Sequence, residues 1–183
     1  KSTLLKKTFL EKESLYYDLL KSEEFTRLTA NPALFREEVL SRDKSIKYVI
    51  VDEVQRVPQL LNEVQSIMTS SDKPPVFCLS GSSARKLKRA HANLLAGRAW
   101  TYHLHPLTHI ECGQRFALDK ALRVGTLPSV YSEEAEEASH NTLKAYVNTY
   151  LREVIAAEAI IRNVGAFLRF LPLAAFENGN VLN

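Results

Sequence analysis

The sequence predicts an α/β fold with a parallel sheet, followed by an all-helical extension. Three observations carry that expectation. Ile46 to Val51 (IKYVIV) is a continuous apolar, β-rich run, as expected of a central parallel strand buried on both faces. Strand-like runs alternate with helical patterns through the first 112 residues, the arrangement that builds a parallel sheet. Beyond about Gly113 no strand-like run remains and helical periodicity takes over. The expected organisation is therefore an α/β core over residues 1–112 and a helical extension over residues 113–183.

Each element has its own local reason. Thr3 to Lys12 places Leu4, Leu5, Phe9 and Leu10 at helical spacing and reads as an amphipathic helix. Ser14 to Leu20, with Leu15, Tyr16, Tyr17 and Leu19, reads as a short strand. Ser22–Ala30 and Pro32–Ser41 read as two helices, the second with Asn31 as cap and Pro32 at its first position. Pro58 to Thr69 is expected to be a helix that buries Leu60, Leu61, Val64, Ile67 and Met68. Val76–Leu79 is expected as a second buried strand, and Ala99–His105 as a third that ends at Pro106. Leu118–Val124 and Glu133–Asn163 carry helical patterns, the longer with Leu143, Tyr146, Val147, Tyr150, Val154 and Ile161 on one face.

Composition excludes several classes. The chain has 183 residues, with 24 basic and 21 acidic side chains giving a net charge of +3, too weak by itself to imply a nucleic-acid or membrane partner. The 45% hydrophobic and 25% charged shares describe a globular chain rather than a disordered or fibrous one. Two cysteines, Cys78 and Cys112, make no secreted disulfide framework. The longest apolar stretch, Val164 to Phe176, contains Arg169 and Pro172 and is too short to span a bilayer. No targeting signal is visible, although residue 1 is a lysine rather than methionine, so one could have been lost. A soluble, cytoplasmic protein is expected. All six glycines lie beyond residue 80, which at first sight argues against phosphate binding.

Three short motifs carry candidate chemistry. Tyr48-Val49-Ile50-Val51-Asp52-Glu53 is an apolar strand that ends in two acids, at the edge of a parallel sheet where ligands bind. The first acid can hold Mg²⁺, directly or through water, and the second can orient or deprotonate an attacking water. Taken alone, the same pattern also fits two solvated acids at a strand end. Lys1-Ser2-Thr3, followed by a helix, is how a phosphate-binding loop ends: lysine to the phosphates, hydroxyl to Mg²⁺, helix N-terminus toward the anion. Leu79-Ser80-Gly81-Ser82-Ser83 follows a strand and offers hydroxyls either to a phosphate or attacking water, or as a helix cap.

The stretches YVIVDEVQRVPQLLNEVQ, LSGSSARKL, NLLAGRAWTYHLHPLTHIE and ALRVGTLPSVY, in this order, resemble a prokaryotic family of AAA-like P-loop ATPases. Its members carry an ATPase core followed by a C-terminal domain of unknown function, and the resemblance runs from Lys1 to Asn183. It implies a three-layer P-loop core, ATP binding and Mg²⁺-dependent hydrolysis. By motif position, Lys1 and Ser2, with Thr3 beside them, match the end of the Walker A loop, and Asp52 matches the Walker B metal ligand. Glu53 matches the catalytic acid. Ser82 matches the polar sensor, with Ser80 and Ser83 as alternative counterparts. Arg98 stands where related ATPases keep an arginine that approaches phosphate, and Pro128 lies in a turn resembling one that packs near adenine. The glycine loop and the strand before it are missing, so the sequence reads as a fragment that starts inside Walker A.

Other readings compete with parts of this one. Lys73 to Ile110 holds six basic residues and no acid, four of them in Arg85-Lys86-Leu87-Lys88-Arg89. Such a helix can track nucleic-acid phosphates, although no aromatic is interleaved for stacking on single strands. A non-hydrolysing interaction module, binding a protein partner or self-associating, is the other alternative. His103, His105, His109 and Cys112 invite a zinc reading, but Pro106 separates the pairs, and ordinary strand-end and helix-start residues are preferred. Glu133, Glu134, Glu136 and Glu137 read as the acidic first turn of a helix capped by Ser132. Cys78, inside an expected buried strand, reads as inert.

Overall fold

The computed structural model describes residues 1–81, 98–151, 163–178 and 180. The chain forms two compact units, Lys1–Tyr102 and His103–Asn183. In the first unit, α1 (Ser2–Thr8) leads into β1 (Ser14–Asp18), α2 (Ser22–Ala30), α3 (Ala33–Leu40), β2 (Tyr48–Asp52), α4 (Leu60–Ser70) and β3 (Val76–Leu79). The strands form one parallel sheet in the order β1-β2-β3, with Tyr16 opposite Ile50, Asp18 opposite Asp52 and Val51 opposite Leu79. Its central strand is the apolar run, and Val49, Ile50 and Val51 are all buried there.

Strand alternation separates two kinds of side chain. Tyr17, Val49 and Val51 point to one face and join Leu19, Leu28, Phe35, Val39, Val54, Val57, Leu60, Leu61, Val64 and Ile67 in a single apolar cluster. Helices α2, α3 and α4 supply most of it, because each turns a stripe of apolar positions inward. Phe35 is central: it is fully buried and meets Tyr17 edge-on, ring centroids 4.8 Å apart. The polar margin of this packing is tied by Glu38, which accepts from the Tyr17 hydroxyl at 3.1 Å and pairs with Arg27. The opposite face carries Tyr16, Tyr48, Ile50 and Asp52. There α1 lies over the sheet, with the Phe9 ring 4.8 Å from that of Tyr48 and Lys6 Nζ 5.2 Å from the Tyr16 ring centre.

Several expectations need correcting. Helix α1 stops at Thr8 rather than Lys12, and a 3₁₀ turn over Glu11–Glu13 leads into β1. Strand β3 is less buried than expected; its first residue, Val76, is exposed. Residues 99–105 form no strand. A strand exists only through ladder partners, this segment has none among the described residues, and Trp100 and Tyr102 are 90% and 87% exposed. The sheet therefore has three strands among the described residues, which gives α/β character without a complete P-loop core.

The second unit is helical: α5 (His109–Cys112), α6 (Leu118–Val124), α7 (Pro128–Tyr131), α8 (Glu136–Ala145) and α9 (Val164–Phe176). A π-helical turn, Tyr146–Leu151, continues α8. Thr108 and Glu111 cap α5 reciprocally, and Gly125, at φ +73°, ends α6 in a conformation that favours glycine. Tyr131 organises the unit: its hydroxyl donates to Arg115 O at 3.0 Å and accepts from Ala117 N at 2.8 Å. Ser132 does not cap the acidic helix. Its hydroxyl turns back to Pro128 O at 2.5 Å, and α8 begins only at Glu136, with Glu133 accepting from the backbone of Glu134 and Ala135. Among the described residues no helix is long and apolar enough to cross a membrane.

The central position of Phe35 makes a direct stability prediction. Phe35→Ala leaves a cavity between α3 and the sheet and is expected to lower unfolding free energy by about 3–5 kcal/mol. Urea denaturation followed by far-UV circular dichroism checks it.

Candidate functional site

The site grows from the C-terminal end of β2. Asp52 closes that strand on the face shared by Tyr16 and Ile50, and it is only 1% exposed. A carboxylate in such a place must be hydrogen-bonded. The Tyr16 hydroxyl donates to Oδ2 at 2.7 Å, and the buried Ser80 hydroxyl donates to Oδ1. Ser2, at the start of α1, supplies a third hydroxyl. Burial pushes the Asp52 pKa up, but the hydrogen bonds from Ser2, Ser80 and Tyr16 outweigh it and hold the carboxyl below its ordinary value. Burial, followed by the bond to Asp52, raises the Tyr16 phenol well above its own ordinary value, so it stays a donor.

Backbone bonds lock the surrounding loops to one another. Ser80 N donates to Val51 O and Ser80 O accepts from Val54 N, both at 2.9 Å, so the chain leaving β3 is stitched to the chain leaving β2. Lys1 Nζ reaches Gly81 O at 2.5 Å, which brings the start of α1 to the same loop. Glu53 follows Asp52 in the left-handed region, with φ +60° and ψ +42°, the one positive-φ residue other than glycine among those described. Its carboxylate accepts from the Gln55 amide. Beyond it, Arg56 donates to Leu19 O at 2.8 Å and lies 4.6 Å from the Phe25 ring centre, pinning the turn to the exit of β1.

This oxygen-rich arrangement fits a hard divalent cation. Mg²⁺ is held by one or two carboxylates together with hydroxyls, waters and substrate phosphates rather than by an all-protein cage. The Ser2 hydroxyl, which helps lower the Asp52 pKa, carries oxygen lone pairs that a cation could use. Among the described residues no group of three or more His, Cys, Asp or Glu side chains could hold a metal. His103 and His105 stand with ring centroids 6.2 Å apart, while His109 meets the Phe116 ring edge-on. Burial raises the Cys78 thiol above its ordinary pKa.

Lys1, Ser2 and Asp52 thus converge with Ser80, and Glu53 stands next to them in the chain. Thr3 is exposed in the first turn of α1, and Arg98 is exposed in a turn. Pro128 begins α7 in the second unit. Ser82, Ser83 and the basic segment 85–89 lie outside the described residues. Sequence reasoning did not single out Tyr16, Gln55 or Arg56. In the sequence Tyr16 reads only as a strand residue; the β1–β2 register that places it on the Asp52 face is not written in either strand alone.

Two predictions follow from this geometry. Glycine is ordinarily worse than alanine, but at φ +60° the order reverses. Glu53→Gly should therefore be about 1 kcal/mol more stable than Glu53→Ala, since both lose the carboxylate and only one relieves the backbone; paired urea melts compare them. Asp52, with its depressed folded pKa, contributes stability that is present above the unfolded carboxylate value of about 4 and is lost as pH falls through the lower folded value. Asp52→Asn should flatten that acid limb, as measured by unfolding midpoints across the acid range.

Residues 1–112 match the AAA domain family, and residues 115–183 match a domain of unknown function (DUF8612). Two uncharacterized proteins, from Mycobacterium bovis and Mycobacterium tuberculosis, are each 28% identical to the chain over 135 residues. Those residues are 74% of this chain and 30% of each relative, so the chain spans less than a third of the length of these curated relatives. No solved structure matches it. The family match covers well over half of the chain and contains Lys1, Ser2, Tyr16, Asp52, Glu53 and Ser80; the chain belongs to the AAA domain family.

Proposed function

We propose that the protein binds ATP with Mg²⁺ and that the intact protein hydrolyses it. One observation carries this reading: the buried Asp52 carboxylate, bonded by Tyr16 and Ser80, stands at the end of the central strand, with the Ser2 hydroxyl acting on it and the Lys1 ammonium held at Gly81 O on the adjoining loop. Membership of the AAA domain family supports it. In this reading Lys1 binds the β- and γ-phosphates, and Ser2 and Asp52 hold the cation. Mg²⁺ supplies charge neutralisation on the phosphate oxygens and orientation of the transferred group.

Glu53 orients the attacking water and accepts its proton. Its fixed backbone and the bond from Gln55 limit the positions its carboxylate can take. Ser80 keeps Asp52 ionised and aligned by donating to it. By motif position, Ser82 would serve as the polar sensor and Arg98 as the arginine directed at phosphate, and Thr3 adds to the nucleotide-binding end of the loop. A cytoplasmic location, where ATP is abundant, fits this reading.

The test uses the full-length protein. Glu53→Gln keeps size and hydrogen-bonding capacity but removes the base, so ATP affinity should hold within about twofold while turnover falls by about 10²–10⁴-fold. Equilibrium binding of a fluorescent ATP analogue and phosphate release separate the two. Unchanged turnover removes Glu53 from the mechanism. A wild-type protein that binds ATP and releases no phosphate would instead be a nucleotide-responsive interaction module.

A further inference from the structure

We propose that Tyr16 is a positioning residue for the metal-binding carboxylate: its phenol holds Asp52 Oδ2 so that the carboxylate meets Mg²⁺ in one orientation. The inference rests on the reading of Asp52 given above and adds to it a residue from a different strand. The terminal torsion of an aspartate is soft and nearly two-fold, so burial alone does not fix which oxygen faces a ligand. Here both oxygens are taken from opposite sides. Ser80, just beyond β3, donates to Oδ1, and Tyr16, on β1, donates to Oδ2 at 2.7 Å. The two strands flanking β2 thereby clamp the plane of the carboxylate.

Tyr16 is itself held from the α1 side. Lys6 Nζ sits 5.2 Å from its ring centre, and Lys6 belongs to the helix that begins with Ser2. One aromatic ring therefore links the helix carrying the hydroxyl ligand to the strand carrying the carboxylate ligand. Phenylalanine would fill the same space beside Ile50 without making either the bond to Oδ2 or the alignment that comes from it. Partners that orient a ligating carboxylate affect metal affinity without touching the metal.

Mn²⁺ binding, read by electron paramagnetic resonance in the presence of a non-hydrolysable ATP analogue, tests the proposal on the full-length protein. Tyr16→Phe is expected to weaken Mn²⁺ binding by about tenfold, while affinity for the analogue in EDTA stays at the wild-type value. Unchanged Mn²⁺ affinity overturns the proposal. So does a parallel loss of metal and EDTA affinities, which marks a general structural defect rather than positioning. Should Tyr16→Phe not fold, Lys6→Gln, at an exposed position, removes the charge above the ring and should weaken Mn²⁺ by about two- to threefold; no change there overturns it as well. Wild-type protein that binds neither analogue nor Mn²⁺ overturns the nucleotide reading itself, and the role of Tyr16 with it.

Discussion

A single buried carboxylate sets the terms for the first unit. Asp52 is almost wholly withdrawn from water, and an unpartnered ion in that position would cost several kcal/mol. Two hydroxyls bond Asp52, from the middle of β1 and from the residue after β3, and a third, from the start of α1, adds to holding its pKa down. Strand register is thereby constrained from both edges. A slip of one residue would carry Asp52 to the face lined by Val49 and Val51 and strand it among aliphatic side chains. The apolar cluster on one face and the ionised group on the other are two consequences of one alternating pattern.

The same strand shows why polar chemistry and core packing coexist within five residues. Val49 and Val51 anchor the sheet to α2, α3 and α4, which fixes the strand rigidly. Asp52 and Glu53 emerge from that rigid base just where regular structure ends. The turn that follows is secured by Arg56 and by two buried valines, Val54 and Val57, so the left-handed Glu53 is imposed by its neighbours. Strain held by surrounding structure at a chemically useful residue is a common mark of functional sites. The second unit works on smaller means, with a tyrosine hydroxyl and a few capped helices around Val124, Val130 and Tyr131.

Much of this was legible in the sequence because the signals are local. Helices α2 and α6 and the central strand lie where periodicity and apolar runs place them. Motif chemistry alone singles out Lys1, Ser2 and Asp52 as candidates. What escaped was information held between elements. Tyr16 matters only through its register opposite Ile50, and Arg56 only through the carbonyl of Leu19, 37 positions earlier. Residues 99–105 erred the other way: their β-prone composition says nothing of whether a neighbouring strand is present to pair with them. Ser132 illustrates a local failure, because two helix ends lie close together and the hydroxyl served the preceding one.

Trp100 has a practical consequence of its own. It is the sole tryptophan of the chain, and its indole already stands in water. Its emission therefore begins near the wavelength that an unfolded chain would show, and collapse of the β1-β2-β3 core leaves that environment nearly unchanged. Optical reporting on this core falls instead to tyrosines, above all Tyr17, which is packed against Phe35. The indole, free of the core, is a sensor for whatever approaches the 98–105 segment.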